Sequence, residues 1–174
     1  MFMLLLALCV LPTPISVSDF TDKNERSEWV VVNDGVMGGK SQSQLKQKGP
    51  NHVQFSGKVS LRNNGGFASI RRIMPQMKIV GATVAKLKVK GDGKDYQFRV
   101  KNDQEDRHSY KYTFSTSGGW ETISIPLNEM TPTFRGYTPN LPNYQAEFLA
   151  QIGILIANKK AESFELAIRK IWLE

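Results

Sequence analysis

Apolar and polar side chains alternate along most of this 174-residue chain. In each alternating segment the apolar residues would share one face of an extended strand, because successive side chains of a strand point to opposite faces. The apolar positions are Val53, Phe55, Val59 and Leu61; Leu87 and Val89; Tyr96, Phe98 and Val100; Ile123, Ile125 and Leu127; Ile152, Ile154 and Ile156; Phe164, Leu166 and Ile168. A period of two is not that of a helix, so the pattern predicts an all-β protein.

Turn-forming residues separate these predicted strands. Clusters of Gly, Asn, Asp, Ser or Pro fall at 63–66, 91–93, 117–119 and 132–142. Such close spacing leaves no room for the helical crossovers that a parallel sheet requires. We therefore expect an antiparallel β-sandwich of jelly-roll type, with a closed barrel as the alternative. The single helix that we predict is a short one at 143–149.

The N-terminal segment differs from the rest of the chain. Residues 2–11 form an uncharged apolar run, and the small-x-small triplet 16–18 follows it. This order predicts a secretory signal peptide over 1–18, cleaved after Ser18, which leaves a single domain at 19–174. The run has about half of the ~20 residues that a membrane helix needs, so we expect no transmembrane anchor. The predicted location is periplasmic or secreted, and the alternative is cytoplasmic.

The chain is basic, with a formal net charge of +7, but its lysines are dispersed rather than clustered. Lys86, Lys88 and Lys90 alternate with apolar residues, which is the pattern of a strand with one solvated face. We therefore expect no nucleic-acid partner, because nucleic-acid binding proteins concentrate their positive charge in a patch or stripe.

Polar residues and glycines are combined in the loops, first at 33–41 and again at 63–66. Glycine allows close backbone approach, and Asn, Asp and Arg recognise polar ligands, so we expect these loops and Arg135 to line one recognition patch. Arg71 or Arg135 would be its cationic clamp. The alternative is purely structural, with Asp34 salt-bridged to Arg71. The candidate ligand- or partner-binding residues are Asn33, Asp34, Gly35, Met37, Gly38, Asn63, Asn64, Arg71 and Arg135.

Two tryptophans precede or begin predicted strands. Trp29 and Trp120 would either stack on a sugar ring or fill the core, and the area that a Trp buries favours the core.

Catalytic motifs are weak. His52 and His108 lack the neighbours of a general base, and we predict no catalytic residue. Asp34 and Asp92 would form a glycosidase pair only if the fold brought their loops together. The sequence has no zinc-ligand spacing, P-loop or dinucleotide motif, so no metal or cofactor is expected. The acidic run 102–106 is interpreted as a solvated hairpin tip rather than a calcium loop.

Several of these motifs, taken in order, resemble the complex I intermediate-associated protein 30 family. They are Trp29 with 32–41, then 55–57, 63–71, 91–94 with Tyr96, Trp120, 125–126, 134–136 and 152–156. The resemblance implies a galactose-binding-like β-sandwich that acts as a non-enzymatic binding or assembly module, since mitochondrial members assist the assembly of respiratory complex I. The alternative function is carbohydrate binding, and a glycan-active hydrolase is the third. The partner would be a protein or a carbohydrate.

Overall fold

The computed structural model describes residues 13–174, which form twelve β-strands. The strands are β1 (Ile15–Asp19), β2 (Trp29–Asn33), β3 (Gln42–Gln47), β4 (Val53–Val59), β5 (Ala68–Lys78), β6 (Val84–Lys90), β7 (Asp95–Lys101), β8 (Ser109–Ser115), β9 (Trp120–Pro126), β10 (Thr131–Thr133), β11 (Phe148–Ile156) and β12 (Glu162–Leu173). Short 3₁₀ turns lie at Glu25–Glu28, Asp34–Met37, Arg62–Asn64 and Leu127–Glu129. Over residues 13–174, no helix is both long enough and apolar enough to cross a membrane.

The strands form two separate antiparallel sheets. The first has the order β3-β4-β12-β6-β9, and β1 pairs with the C-terminal part of β12. The second has the order β10-β8-β7-β11-β5-β2. Because the sheets are separate, the domain is a sandwich rather than a closed barrel, and the predicted fold class is confirmed.

The core lies between the two sheets, and half of its buried apolar residues are ones that the alternation identified. Phe55 and Leu166 of the first sheet and Phe98 and Ile154 of the second are fully buried. The aromatic rings of Phe55 and Phe164 meet edge to face with their centroids 4.8 Å apart. Period-two patterning therefore predicted six of the twelve strands, β4, β6, β7, β9, β11 and β12, and the side of each that is buried. Its assignment of Leu61 is wrong, because Leu61 lies beyond the end of β4 and is 46% exposed.

The predicted helix at 143–149 is wrong. Residues 143–147 are irregular, and β11 begins at Phe148. Ala146 has φ of 55°, which no right-handed helix contains, and the buried Tyr144 donates its hydroxyl to the Phe148 carbonyl oxygen at 2.5 Å. The burial of one aromatic side chain thus fixes the conformation of this segment. The sequence pattern on which the helix prediction is based contains no sign of that contact.

The predicted leader is only partly within the described residues, because 1–12 lie outside them. Residues 15–18 belong to β1, where Val17 and Ser18 are buried and Ile15 pairs with Leu173. Cleavage after Ser18 stays a prediction. Such cleavage would remove nearly all of β1 from the domain.

Candidate functional site

Asp34 joins the two glycine-rich loops that the sequence singled out. It is 1% exposed at the start of the 3₁₀ turn after β2. Its Oδ1 accepts the backbone N–H of Ser41 at 2.9 Å, and its Oδ2 accepts the Ser41 hydroxyl at 2.5 Å. Oδ2 also accepts the backbone N–H groups of Gly66 at 2.7 Å and Phe67 at 3.3 Å. The carboxylate is therefore bonded to both loops at once.

The net effect of this environment is a lowered pKa for Asp34. Burial alone would raise the pKa, but the hydrogen bonds from the Ser41 hydroxyl and from the backbone of Gly66, Ser41 and Phe67 outweigh burial. A carboxylate that accepts four hydrogen bonds is held in its charged form and is not available as a proton donor near neutral pH.

Two glycines make this arrangement possible. A Cβ on Gly39 would lie 2.3 Å from Asp34 Cγ, and a Cβ on Gly65 would lie 2.6 Å from Asp34 Oδ2. No side chain fits at either position, so the glycines are required for close approach to the carboxylate. Loops 33–41 and 60–67 do lie together as expected, but Asp34 is directed into the protein rather than toward a ligand.

The remaining candidates of these loops have mixed positions. Asn33 Oδ1 accepts the Ser43 hydroxyl at 2.6 Å, and Asn63 Nδ2 donates to the Gly38 carbonyl oxygen at 3.2 Å. Gly35 and Asn64 are exposed. The side chain of Met37 is outside the description. Ligand binding by this group of residues stays a prediction.

The predicted pairing of Asp34 with Arg71 is wrong. Arg71 lies in β5, where it pairs in register with Val30 of β2 and Gly153 of β11. Its side chain is on the outer face of the second sheet, because its neighbour Ile70 points into the core. Within residues 13–174, Arg71 forms no ion pair and no side-chain hydrogen bond. The two residues belong to different environments, since Asp34 is satisfied by hydroxyl and backbone donors.

Arg135 does not join the predicted patch either. It follows β10 at one edge of the second sheet, whereas the 33–41 loop follows β2 at the other edge. Five strand spacings separate those edges, which corresponds to roughly 24 Å. Arg135 has φ of 48° and its guanidinium lies 5.3 Å from the centre of the Phe134 ring. Arg135 therefore lies within a local turn that is closed by the backbone hydrogen bonds between Phe134 and Tyr137.

The tryptophans occupy opposite kinds of position. Trp29 is 3% exposed, and its Nε1 donates to Glu25 Oε1 at 3.1 Å and to Ser18 Oγ at 3.2 Å, so it cannot stack on a ligand. Trp120 is 42% exposed on the outer face of the first sheet, edge-on to the His52 ring at 5.3 Å. The core assignment is correct for Trp29 and wrong for Trp120, because β9 is an edge strand and Trp120 is at its exposed end.

The possible glycosidase pair is not assembled. Asp92 Oδ2 accepts Lys94 Nζ at 2.7 Å and the Glu165 backbone N–H at 2.9 Å, and Oδ1 accepts the Tyr96 hydroxyl at 2.9 Å. These partners differ entirely from those of Asp34. Each aspartate stabilises its own loop, and the two carboxylates share no contact within the described residues.

The acidic run forms the tip of the β7–β8 hairpin, as predicted. Asp103 Oδ1 accepts the Glu105 backbone N–H at 3.0 Å, and Asp106 Oδ2 accepts the Asp103 backbone N–H at 3.2 Å. Over residues 13–174, no group of three or more His, Cys, Asp or Glu side chains is arranged to hold a metal ion.

A row of cations crosses the outer face of the second sheet, and the sequence pattern does not indicate it. Arg71 of β5 and Arg99 of β7 both pair in register with Gly153 of β11, and Arg99 in turn pairs with Lys111 of β8. We refer to Arg71, Arg99 and Lys111 as the cationic row. The alternation in β7 indicates that Arg99 faces the outer side of the sheet, because its neighbour Phe98 faces the core. It does not indicate which strands lie next to β7.

The two arginines are half-buried and influence each other. Burial, together with the positive charge of Arg71, lowers the pKa of Arg99 to about 10, and burial also lowers the pKa of Arg71. Gln97 Oε1 accepts both Arg99 Nε at 3.1 Å and Arg99 Nη2 at 2.7 Å. A neutral amide is thus the only side chain in residues 13–174 that bonds the Arg99 guanidinium.

An open polar groove of about 440 Å³ adjoins this row. Gln97, Asp95 and Thr113 line it from the outer face of the second sheet, and Asn158 lines it from the β11–β12 connection. The remaining lining residues are Gly93, Lys94, Ala157, Lys159 and Lys160. Amide, hydroxyl and charged groups therefore surround a space large enough for a small polar ligand.

Solved structures with the same fold include carbohydrate-binding modules. A family 11 module of a cellulosomal cellulase from Clostridium thermocellum matches with a TM-score of 0.69 and 16% identity, over 94% of this chain and 95% of that one. A family 11 module from the same organism, in complex with a β-1,3-1,4-mixed-linked tetrasaccharide, matches with a TM-score of 0.65 and 17% identity, over 92% of this chain and 94% of that one. A family 4 module matches with a TM-score of 0.51 and 11% identity, over 93% of this chain and 95% of that one. At these identities the likeness establishes the jelly-roll, galactose-binding-like fold alone.

The family itself is established from the sequence. The model of the complex I intermediate-associated protein 30 family matches residues 18–168, which include both sheets except most of the first strand and the end of the last. The motifs quoted above lie inside this match, including the Asp34 loop pair and Gly153. This chain belongs to the complex I intermediate-associated protein 30 family.

Proposed function

We propose that this protein is a non-catalytic carbohydrate-binding module that engages its ligand on the outer face of the second sheet. The observation that carries the proposal is the open groove of about 440 Å³ whose lining combines side-chain amides, a hydroxyl and a carboxylate. Such groups donate to and accept from sugar hydroxyls in the fixed geometry that polar recognition requires. The fold that it shares with carbohydrate-binding modules supports the same function.

The position of the groove also supports binding rather than structure. Gln97 and Thr113 are in register on the adjacent strands β7 and β8, so they present their polar groups side by side. Both residues are in paired β-strands, which fix their backbone positions, and sites on strands are more precisely positioned than sites on loops. A ligand in the groove would contact the Gln97 amide directly and lie next to Arg99.

The proposed function is non-enzymatic. The two aspartates that a hydrolase would use are each bonded within separate loops, with Asp34 accepting four hydrogen bonds and Asp92 three. A general acid needs a carboxyl group that is free to release its proton to a bound substrate. Neither residue has that freedom.

The test is a binding screen against immobilised neutral and acidic oligosaccharides, followed by calorimetry on any ligand found. The double variant Gln97→Ala/Thr113→Ala should lose most of the binding. The matched control is Gln54→Ala/Thr122→Ala, which removes the same two residue types from the outer face of the first sheet. Absence of binding to every oligosaccharide, or equal losses in both double variants, would overturn the proposal.

A second candidate function is assembly of a protein complex, favoured by membership of a family named for association with complex I intermediates. It predicts a protein partner in the native compartment. Affinity capture followed by cross-linking should then locate the contact, and cross-links on the outer face of the second sheet that are abolished by saccharide would favour the carbohydrate function instead.

A further inference from the structure

The cationic row lacks the negative partners that buried cations normally have. Charged side chains that are buried are usually paired with an opposite charge. Removing an ion from water costs roughly several kcal/mol, and the attraction of an opposite charge offsets that cost. The ion pairs of residues 13–174 join Arg72 to Glu25, Lys86 to Glu174, Lys94 to Asp92, Lys160 to Glu162 and Lys170 to Asp19. None includes Arg71, Arg99 or Lys111.

The strand register places the two arginines on either side of one glycine. A Cβ on Gly153 would lie 3.5 Å from Arg71 Cγ, so the stem of Arg71 extends over the glycine that separates the two strands. Arg71 and Arg99 are in strands two spacings apart, roughly 10 Å. Gly153 is itself buried, and its lack of a side chain lets the stem of Arg71 lie against the strand between the two arginines. Like charges held in this way repel, and a bound anion would offset that repulsion.

The chemistry of the row indicates which anion would fit. A guanidinium donates two parallel N–H groups, which match the two oxygens of a carboxylate or of a sulfate ester. Gln97 links the row to the groove, since its Oε1 bonds Arg99 and its side chain also lines the groove. A saccharide in the groove would therefore lie beside Arg99.

We propose that the ligand is an acidic polysaccharide, whose carboxylate or sulfate groups bind between Arg71 and Arg99 over Gly153 while its hydroxyl groups occupy the adjacent groove. This inference rests on the proposed carbohydrate-binding function and specifies the ligand class. Lys111, which is in register with Arg99 and also with Thr131 of β10, extends the positive surface toward the β10 edge of the sheet. Successive acidic sugars would therefore meet successive cations.

The groove lining is consistent with a charged rather than an aromatic mode of recognition. None of its nine residues is aromatic, and the exposed Trp120 is on the other sheet. Modules that bind neutral sugars by stacking need an aromatic surface at the site. Here hydrogen bonds and ion pairs would supply the binding free energy, so affinity should fall with salt.

The experiment compares ligands that differ only in charge. Calorimetric titrations use trigalacturonate and its fully methyl-esterified form, and a sulfated galactan tetrasaccharide and its desulfated form, in about 0.05 M and about 0.5 M NaCl. We expect binding of at least one acidic ligand, weaker binding at high salt, and at least about tenfold weaker binding of its uncharged counterpart. The two pairs distinguish a carboxylate ligand from a sulfate ligand.

Variants locate the charge effect. Arg71→Gln and Arg99→Gln should each weaken acidic-ligand binding by about tenfold, and Arg99→Lys should weaken it less, because it keeps the charge and loses the paired donors. Lys88→Gln and Lys90→Gln remove the same charge from the outer face of the first sheet and should change the affinity by less than about twofold. Thermal unfolding of each variant verifies that the fold is intact.

The outcomes separate the two proposals. Equal affinity for a charged ligand and its uncharged counterpart would overturn the acidic-ligand inference and leave the carbohydrate-binding function standing. Equal losses in the arginine and lysine variants would overturn the inference as well, since they indicate diffuse attraction. Failure of every saccharide to bind would overturn the proposed function itself.

Discussion

Arg71 and Arg99 lie on the two strands that flank β11, and each is in register with Gly153 between them. Two half-buried like charges without a carboxylate partner in residues 13–174 destabilise a fold. Proteins retain such unfavourable arrangements mainly at functional sites.

This relationship predicts that Arg99→Gln is not destabilising in the absence of ligand. Removing one of the two repelling charges should leave the free energy of unfolding unchanged or raise it by about 0.5–1 kcal/mol. Urea denaturation at neutral pH measures the change, with Lys88→Gln as the control. A loss of more than about 1 kcal/mol would indicate that Arg99 is mainly structural.

Asp34→Asn should destabilise the domain by about 2–4 kcal/mol. The amide cannot accept at both positions, so its NH₂ group would face the donors of Ser41, Gly66 and Phe67 or leave them unpaired. Denaturation at neutral pH measures this effect, and the exposed Asp22→Asn should change stability little. Equal effects of the two substitutions would contradict the role assigned to Asp34.

Asp34 should also make stability depend on acid. Its folded-state pKa lies below the ordinary value of 3.8, so its stabilisation is fully present above that value and is lost as the pH falls through the folded-state pKa. Unfolding curves recorded between about pH 5 and pH 2 should therefore show a steeper loss of stability in the parent protein than in Asp34→Asn. Parallel curves would mean that the carboxylate is not held in its charged form.

Gly39→Ala should lower stability by about 1–3 kcal/mol, because the added methyl group would overlap Asp34 Cγ at 2.3 Å. Gly118→Ala is the matched control, since a Cβ at Gly118 has no heavy atom within 4 Å. Thermal unfolding of the two variants should differ clearly. A normal melting temperature for Gly39→Ala would show that the two loops do not close around Asp34.

Because β1 packs against the domain, we expect a chain that starts after β1 to be less stable than a chain that includes it. A chain that starts at Asp19 lacks the buried Val17 and the bond from Ser18 Oγ to Glu25 Oε1 at 2.5 Å, whereas a chain that starts at Thr13 keeps both. The shorter chain should be less stable by about 2–4 kcal/mol. N-terminal sequencing of the natural product tests cleavage directly. Equal stability of the two chains would show that β1 is dispensable.

Local patterns in the sequence predicted the fold and half of the buried apolar core. Alternation in β7 and β11 identified Phe98 and Ile154 as inward residues, and the turn clusters identified where strands end. The helix prediction failed where a single tertiary contact decides the structure, because the buried Tyr144 holds residues 143–147 out of a helix.

The site could not be predicted to the same degree, because it depends on strand order. The sequence separates Arg71, Arg99 and Gly153 widely, and only the order β7-β11-β5 places them in one row. The glycine-rich motifs were easier to recognise, since their residues are contiguous. Their backbone N–H groups, however, bond to the buried carboxylate of Asp34 rather than to a ligand. Conspicuous local motifs therefore marked a structural junction, while the candidate ligand surface was formed by non-local pairing.

Binding of an acidic saccharide to the cationic row is tested most directly by NMR titration of the ¹⁵N-labelled protein with trigalacturonate and, separately, with the sulfated tetrasaccharide. We expect one of these ligands to shift the amide resonance of Gly153, the side-chain Nε–H resonances of Arg71 and Arg99, and the side-chain amide resonances of Gln97. Shifts confined to the first sheet around Trp120 and Lys88, or no shifts with either ligand, would show that the cationic row is not the binding site.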